Sequence, residues 1–209
     1  MTQPSHPQSP TTSPHKGWHS RGYLPHFDQP DLVQSITFRL ADALPAHVIE
    51  SLSQDKEKLA DLEKRQRIEE YMDTGHGECY LRDLRIGQLV EDALLYFDKD
   101  RYRLLASVVM TNHVHVLIEI IHGHPLHKII SSWKSFTAHK ANKLLGRSGQ
   151  FWFQDYFDRY IRNERHFYNV VRYIHENPVK AGLVAKAVDW PFSSAKLWER
   201  ERPVRQNLL

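Results

Sequence analysis

The protein has 209 residues and a net charge of +3, and with 41% hydrophobic and 25% charged residues this length predicts a single domain with its own core. A lone cysteine, Cys79, excludes an internal disulfide, and no apolar run approaches the roughly 18 to 20 residues that a membrane helix needs. The N-terminal segment lacks the apolar stretch of a secretory signal, so we expect a cytoplasmic protein.

Apolar periodicity predicts the secondary structure in chain order, after an N-terminal segment that carries six of the 11 prolines and is expected to be disordered at least in its first half. Alternation and β-forming residues predict four strands, over residues 32–40, 101–110, 113–121 and 156–161. Helical spacing predicts four helices, over residues 45–71, 86–97, 125–145 and 163–176. The connection Thr111-Asn112 suits a tight hairpin, and Asn177-Pro178 is expected to follow the end of the last helix.

The sharpest local motif is His113-Val114-His115, at the start of the third predicted strand. Because side chains alternate along a strand, both imidazoles point to one face and Val114 points to the other. Two neutral ring nitrogens on a rigid strand can bind one divalent cation. On their own, however, two histidines are also compatible with a purely structural role.

In the last predicted helix, Tyr173 and Asn177 are one turn apart and share a face. A tyrosine with a pKa of about 10 is a poor nucleophile at neutral pH, but a divalent cation that polarises a phosphodiester can make its attack feasible. The same spacing fits a core tyrosine beside Val170 and Ile174, with an asparagine that ends the helix. Spacing alone leaves both interpretations open.

Longer segments accompany these motifs: GYLPHFD at 22–28, SITFRLADALP at 35–45, GRSGQFWFQDYFDRYIRNERHFYNVVRYIHENPVKAGLV at 146–184 and DWPFSSA at 189–195. Together with the histidine pair, they resemble the REP-associated tyrosine transposases, which are relatives of the single-tyrosine HUH transposases of small insertion sequences. The resemblance covers residues 22–197. We therefore expect one transposase domain over 22–197, between a disordered tail over 1–21 and a polar tail over 198–209.

The resemblance implies an α+β fold of the HUH endonuclease type, in which helices pack on a ferredoxin-like antiparallel sheet that carries the histidine pair. It implies a metal-dependent endonuclease and strand transferase that acts on single-stranded DNA at palindromic repeat hairpins. Tyr173 would be the nucleophile that forms a 5′-phosphotyrosine intermediate. His113, His115 and Asn177 would bind the divalent metal, Mg²⁺ or Mn²⁺. Some relatives have glutamine at the position of Asn177, and many have Met-Pro-Asn where this chain has Met110-Thr111-Asn112.

The expected partner is single-stranded or hairpin DNA, and the charge distribution favours it. Residues 1–122 have a net charge of −5 and residues 123–209 have +8, an asymmetry typical of a polyanion partner, although a basic surface in contact with water also accounts for it. The candidates for phosphate contacts are Lys128, Lys134, Lys140, Arg147, Arg159, Arg162 and Arg172. We expect no membrane partner, a nucleoid-associated location in the cytoplasm, and either a monomer or a homodimer.

Three alternatives stay open at this point. Tyr156, Tyr160 and Tyr168 compete with Tyr173 for the role of nucleophile. The protein could bind hairpin DNA without cutting it, although four intact site residues argue against this. A two-histidine hydrolase is disfavoured because Leu117 stands where a third histidine would be needed. None of the nine glycines forms a P-loop or a dinucleotide fingerprint, so no nucleotide cofactor is expected.

Overall fold

The computed structural model describes residues 15–20, 25–45, 47–48, 50 and 61–205. The strands are β1 (Gly17–Ser20), β2 (Pro25–Asp28), β3 (Val33–Arg39), β4 (Tyr102–Val109), β5 (His113–Ile120) and β6 (Phe157–Tyr160). The helices are α1 (Asp61–Asp73), α2 (Leu84–Tyr96), α3 (Leu126–Leu144), α4 (Glu164–Lys180) and α5 (Ala195–Arg205). Within these described ranges, no helix is long and apolar enough to cross a membrane.

The central element is a four-stranded antiparallel sheet with the strand order β4-β5-β3-β6. It confirms the predicted α+β class and all four predicted strands, with ends shifted by at most one residue. The register of β3 against β5 sets Thr37 opposite His115 and Arg39 opposite His113. Residues far apart in sequence therefore meet at the histidine pair.

The two faces of β5 enter two different hydrophobic clusters. Val114, Val116 and Ile118 are fully buried in the larger cluster, which also contains buried residues of α2 and α3. Leu117 is fully buried in a smaller cluster with Val171 of α4. The predicted alternation is confirmed, and the histidine face is the one covered by α4.

Helix α4 runs four residues beyond its predicted end, through Asn177 and Pro178 to Lys180. The expectation that the helix ends before Pro178 is wrong because a proline in the last turn removes only its own N–H, here the potential donor to Ile174. The backbone continues to hydrogen-bond after it, since the amide of Ala181 donates to the carbonyl of Asn177 at 3.0 Å. Asn177 is therefore a buried helical residue and does not end the helix.

Described elements lie within both segments predicted as tails, 1–21 and 198–209. Strand β1 lies inside the segment predicted to be disordered, over 1–21, and pairs with β2 in a separate hairpin. Helix α5 continues to Arg205, and Trp198 anchors it by donating from Nε1 to the carbonyl of Leu105 at 2.8 Å. Residues 1–14, 21–24 and 206–209 lie outside the described residues, as do 46, 49 and 51–60 of the helix predicted over 45–71.

A buried histidine and two aspartates attach the β1-β2 hairpin to the main sheet. His26 is fully buried, and its Nδ1 and Nε2 contact Asp158 at 2.5 Å and Asp155 at 3.0 Å. Burial opposes the charged imidazole, but the hydrogen bonds to Asp155 and Asp158 outweigh burial and raise the pKa of His26 to about 9. This network was not predicted from sequence, because it joins residues more than 120 positions apart.

The raised pKa of His26 predicts that the protein loses stability as the pH rises from 7 to 9. The folded state binds a proton there that the unfolded state, with a histidine pKa of about 6.5, has released. We expect the free energy of unfolding to fall by up to about 1.4 kcal/mol per pH unit from this group. Urea unfolding at pH 7, 8 and 9 measures the slope. The H26Q variant should reduce this dependence on pH. The control H139Q, at an exposed histidine of α3, should leave the dependence unchanged. The same slope in H26Q and in the unmodified protein would contradict the assignment to His26.

A second prediction concerns Gly87, which is buried in α2. A Cβ atom at this position would lie 2.3 Å from Cε2 of Phe192, a ring that is itself 5% exposed. G87A should therefore lower the free energy of unfolding by about 1 to 2 kcal/mol, because the clash outweighs the gain in helix propensity. The matched control is Q88A, at the exposed neighbour. If G87A is as stable as the unmodified protein in urea unfolding, or more stable, the Phe192 ring moves aside and the prediction is wrong.

Candidate active site

The two histidines of β5 lie side by side in the interior. Each side chain is 1% exposed, and the Nε2 atoms of His113 and His115 are 3.0 Å apart. The rings are nearly perpendicular, with centroids separated by 4.7 Å. The shared face predicted from the alternation is confirmed, and the two Nε2 atoms are the parts of the rings that meet.

The other nitrogen of each imidazole is held by a neighbouring side chain. Nδ1 of His113 contacts Oδ1 of Asn112 at 2.7 Å, and the Asn112 amide is oriented because its Nδ2 donates to the carbonyl of His76 at 2.9 Å. Nδ1 of His115 contacts Oγ1 of Thr37 at 2.8 Å. Since Oδ1 of Asn112 can only accept, His113 carries its proton on Nδ1 and its Nε2 presents a lone pair.

Asn112 and Thr37 were missed by the sequence reasoning as partners of the histidines. Asn112 was considered only as a turn residue, and its adjacency to His113 was the available signal. Thr37 becomes visible only when the β3-β5 register is known. Asn112 and Thr37 each contact the Nδ1 atom of a histidine whose Nε2 faces the other ring. Metal-binding histidines usually have such a partner on the ring nitrogen that does not bind the metal.

Both imidazoles are neutral at physiological pH. Burial and the neighbouring His115 hold the pKa of His113 well below its usual value. Burial and the positive charge of Lys180 lower the pKa of His115 to about 3. Neutral imidazoles are the form that binds a metal ion.

Tyr173 and Asn177 share one face of α4, and Tyr173 reaches the histidine pair. The Tyr173 ring packs edge-on against His115, with centroids 5.3 Å apart. Asn177 is fully buried. The Tyr173 hydroxyl and Oδ1 of Asn177 are buried, and neither makes a hydrogen bond within the described part of the chain. A buried phenol oxygen and a buried amide oxygen without partners, on the helix face that meets the histidine pair, are typical of a binding site.

Charged residues from two helices surround the Tyr173 hydroxyl. Burial and the negative charge of Glu69 are the main causes that raise the pKa of Tyr173, with a further contribution from Asp73; the Asn177 side chain opposes them. Lys180, one turn beyond Asn177, holds its Nζ 4.7 Å from the centre of the Tyr173 ring. The tyrosine is therefore a neutral phenol at physiological pH, with an ammonium group beside it.

Asp73, the last residue of α1, reaches the same place. Its Oδ1 lies 3.7 Å from Nε2 of His113. Burial raises the pKa of Asp73 to about 6, while Lys180 opposes the shift. The sequence reasoning missed Asp73, because it belongs to a charged helix 40 residues before the histidine pair and shares no local pattern with it.

The donor atoms at this place fit a divalent cation. Two neutral imidazole nitrogens, together with the amide oxygen of Asn177 that makes no hydrogen bond, form a mixed nitrogen and oxygen donor set that can bind a divalent cation. Among His, Cys, Asp and Glu side chains alone, the described residues contain no group of three arranged to hold a metal ion. With the side chains in these positions, the amide of Asn177 is therefore needed as a third donor beside His113 and His115.

The competing tyrosines lie elsewhere. Tyr156 belongs to the larger cluster, on the opposite side of the sheet, and its ring packs at a tilt against His26 with centroids 4.3 Å apart. Tyr160 packs near Phe27 of the β1-β2 hairpin. Tyr168 is 48% exposed on α4. Of the tyrosines considered, Tyr173 is the one whose ring contacts the histidine pair.

The basic candidates on α3 lie on the side of the sheet away from the histidines. Lys128 and Lys140 are exposed there, since α3 packs through its apolar residues on the larger cluster. The ammonium of Lys134 donates to three backbone carbonyls, of residues 153, 154 and 155, at 2.6, 3.0 and 3.2 Å. Lys134 therefore holds the loop before β6, a contact that sequence reasoning did not predict.

The remaining basic candidates are spread over two regions. The guanidinium of Arg147 lies 4.7 Å from the centre of the Tyr80 ring, after the end of α3. Arg159 is exposed on the histidine face of the sheet, as the alternation along β6 and its pairing with β3 require. Arg162 and Arg172 are exposed after β6 and on α4. The predicted basic residues thus do not form one surface.

Comparison with known proteins supports the resemblance drawn from the motifs. The family model described as Transposase IS200 like matches residues 86–177, which include the histidine pair, Tyr173 and Asn177. A REP-associated tyrosine transposase of Escherichia coli is 30% identical over 112 residues, covering 51% of this chain and 63% of that relative. The alignment thus spans less than two thirds of that relative's length.

The fold is also found in a solved structure, that of a REP-associated tyrosine transposase bound to a REP hairpin. The two chains superpose with a TM-score of 0.51 at 20% identity, covering 84% of this chain and 81% of the other. At that identity the match establishes the shared α+β fold. Taken together, the sequence matches and the shared fold show that the chain is similar to REP-associated tyrosine transposases.

Proposed function

We propose that the protein is a metal-dependent endonuclease and strand transferase that cleaves single-stranded DNA at palindromic hairpins through a 5′-phosphotyrosine intermediate. The observation that carries the proposal is the contact of Tyr173 with His115, beside an Asn177 oxygen and a tyrosine hydroxyl that are buried without hydrogen bonds. A nucleophile next to a candidate metal site is the arrangement that phosphodiester cleavage requires.

In the proposed cleavage step, Oη of Tyr173 attacks the phosphorus of a phosphodiester. The bond from phosphorus to the 3′ oxygen breaks, the 3′ oxygen leaves as a hydroxyl, and the tyrosine hydroxyl gives up its proton. The 5′ phosphate stays on Tyr173, so the bond energy is conserved and a 3′ hydroxyl can reverse the step on a second strand. Because the bond energy is conserved, joining the second strand needs no nucleotide cofactor.

The side chains around Tyr173 have separate roles in this step. His113, His115 and Asn177 would hold the divalent cation, which when bound supplies Lewis-acid polarisation of the phosphate. The Lys180 ammonium, 4.7 Å from the Tyr173 ring, favours the negative charge that develops on Oη during attack. The α4 backbone fixes the spacing of Tyr173, Asn177 and Lys180, which lie on one face of the helix.

Hairpin DNA is the proposed partner because the relative of known structure is described as bound to a REP hairpin. Arg159 is exposed on the histidine face of β6, Arg162 is exposed after that strand and Arg172 is exposed on α4 beside Tyr173, and these three would contact phosphates.

A hairpin-binding protein that does not cleave is the second candidate function, and the buried histidine pair with its two hydrogen-bonded Nδ1 atoms weighs against it. Binding alone would need no tyrosine hydroxyl beside that pair, whereas the Tyr173 ring packs against His115. A two-histidine hydrolase would need a third histidine at position 117. Leu117 stands there and is fully buried in the smaller hydrophobic cluster, so this alternative has no support.

The first test is the covalent adduct itself. A hairpin with a single-stranded flank, labelled at its 3′ end, should give a protein-DNA species that survives SDS, because the 5′ phosphate of the 3′ fragment is joined to the tyrosine. Y173F should lose the species completely, since phenylalanine has no nucleophile. The control is Y168F, at the exposed tyrosine of the same helix, which should retain it. An adduct in Y173F would show that another residue is the nucleophile.

The second test addresses the hydrogen bond between Thr37 and His115. T37V removes the hydroxyl that contacts Nδ1 of His115 and keeps the β-branched shape, so the concentration of Mn²⁺ needed for half-maximal adduct formation should rise about tenfold or more. The control is S35A, two residues earlier on the same face of β3. If T37V and S35A require the same Mn²⁺ concentration, Thr37 does not support metal binding.

A further inference from the structure

We propose that the carboxylate of Asp73 is a further ligand of the divalent cation, delivered to the histidine pair by the C-terminal end of α1. The inference rests on the proposed function, since it concerns the same metal site. It adds an acidic residue from an element outside the β5-α4 pair, and outside the part of the chain that matches the IS200-like family.

The distances between donor atoms support this assignment. Oδ1 of Asp73 lies 3.7 Å from Nε2 of His113, which in turn lies 3.0 Å from Nε2 of His115. Atoms that bind one cation at about 2.1 Å are about 3.0 to 3.4 Å from each other in octahedral or tetrahedral arrangements. Oδ1 must therefore move by less than about 1 Å to share a cation with His113, a change within reach of a side-chain rotation.

The Asp73 oxygen nearest His113 has no hydrogen-bond partner in the described structure, although the charge of Lys180 acts on the carboxyl. It is buried and makes no hydrogen bond, although the side chain as a whole is 28% exposed. His113 is neutral, so their contact is not an ion pair. A buried carboxylate oxygen without a partner is costly, and such atoms in native proteins commonly mark the place of a bound ion or water.

Charge balance points the same way. The three ligands already proposed, His113, His115 and Asn177, are all neutral, and the nearest cationic side chain, Lys180, adds positive charge to the site. Protein sites for Mg²⁺ are usually built on one or two carboxylates. Asp73 supplies that charge, whereas Glu69, one turn earlier on α1, acts chiefly on Tyr173.

The test is direct binding of Mn²⁺ to the full chain without DNA, followed through the electron paramagnetic resonance signal of free Mn²⁺. D73N keeps the size of the side chain and removes its charge, and it should weaken binding at least about tenfold. The matched control is E70Q, which removes one negative charge from an exposed position of the same helix and should change the affinity less than about twofold.

Thermal unfolding separates a ligand from a structural residue. In EDTA, D73N should melt at the same or a higher temperature than the unmodified protein, because a neutral amide is less costly to bury than a carboxylate without a hydrogen-bond partner. With Mn²⁺ added, the unmodified protein should gain stability and D73N should gain less. A lower melting temperature of D73N in EDTA together with unchanged Mn²⁺ affinity would overturn the assignment.

The outcomes also separate this inference from the function on which it rests. If the unmodified protein binds Mn²⁺ and H113A does not, while D73N binds within about twofold of normal, the metal site stands and the Asp73 assignment is wrong. If the unmodified protein binds no Mn²⁺, the metal-dependent function and the Asp73 ligand fail together.

Discussion

The pairing of β3 with β5 is the constraint on which the site depends. The register is fixed because Val114, Val116 and Ile118 must face the larger hydrophobic cluster, and a slip of one residue would turn the whole valine face toward α4. The same register sets Thr37 opposite His115. The hydrophobic effect thus positions a polar hydrogen bond: burial of one face determines which hydroxyl meets which imidazole on the other.

The polar site lies in the smaller hydrophobic cluster, and its position there controls its electrostatics. Water is excluded from the histidine pair, so both imidazoles stay neutral and the Tyr173 phenol resists ionisation. Each buried polar group must find a partner or lose stability. The Nδ1 atoms of the histidines have partners within the protein, whereas Oδ1 of Asn177 and the Tyr173 hydroxyl make no hydrogen bond in the described residues. The atoms without hydrogen bonds, Oδ1 of Asn177 and the Tyr173 hydroxyl, are therefore the ones that a ligand would contact.

Sequence alone was sufficient for the elements whose side chains repeat at a regular period. The four strands, the two faces of β5 and the shared face of Tyr173 and Asn177 followed from periods of 2 and 3.6 residues. Non-local polar contacts were out of reach: His26 with Asp155 and Asp158, Lys134 with the loop before β6, and Asp73 with His113 join segments whose pairing no local pattern encodes. Pro178 misled the prediction because a proline near the C-terminal end of a helix costs one hydrogen bond, which the continuing turn tolerates.

The acidic and the basic part of the chain both place charged side chains around Tyr173. The acidic part, residues 1–122, brings Glu69 and Asp73 to the site on α1, while the basic part, residues 123–209, brings Lys180 on α4. The carboxylates disfavour ionisation of Tyr173 and repel phosphate, whereas the ammonium favours both. In the proposed reaction, a divalent cation bound beside Asp73 would shift this balance, because it neutralises a carboxylate at the point where a phosphate has to approach. Metal dependence would then follow from the need to admit DNA as well as from polarisation of the scissile bond.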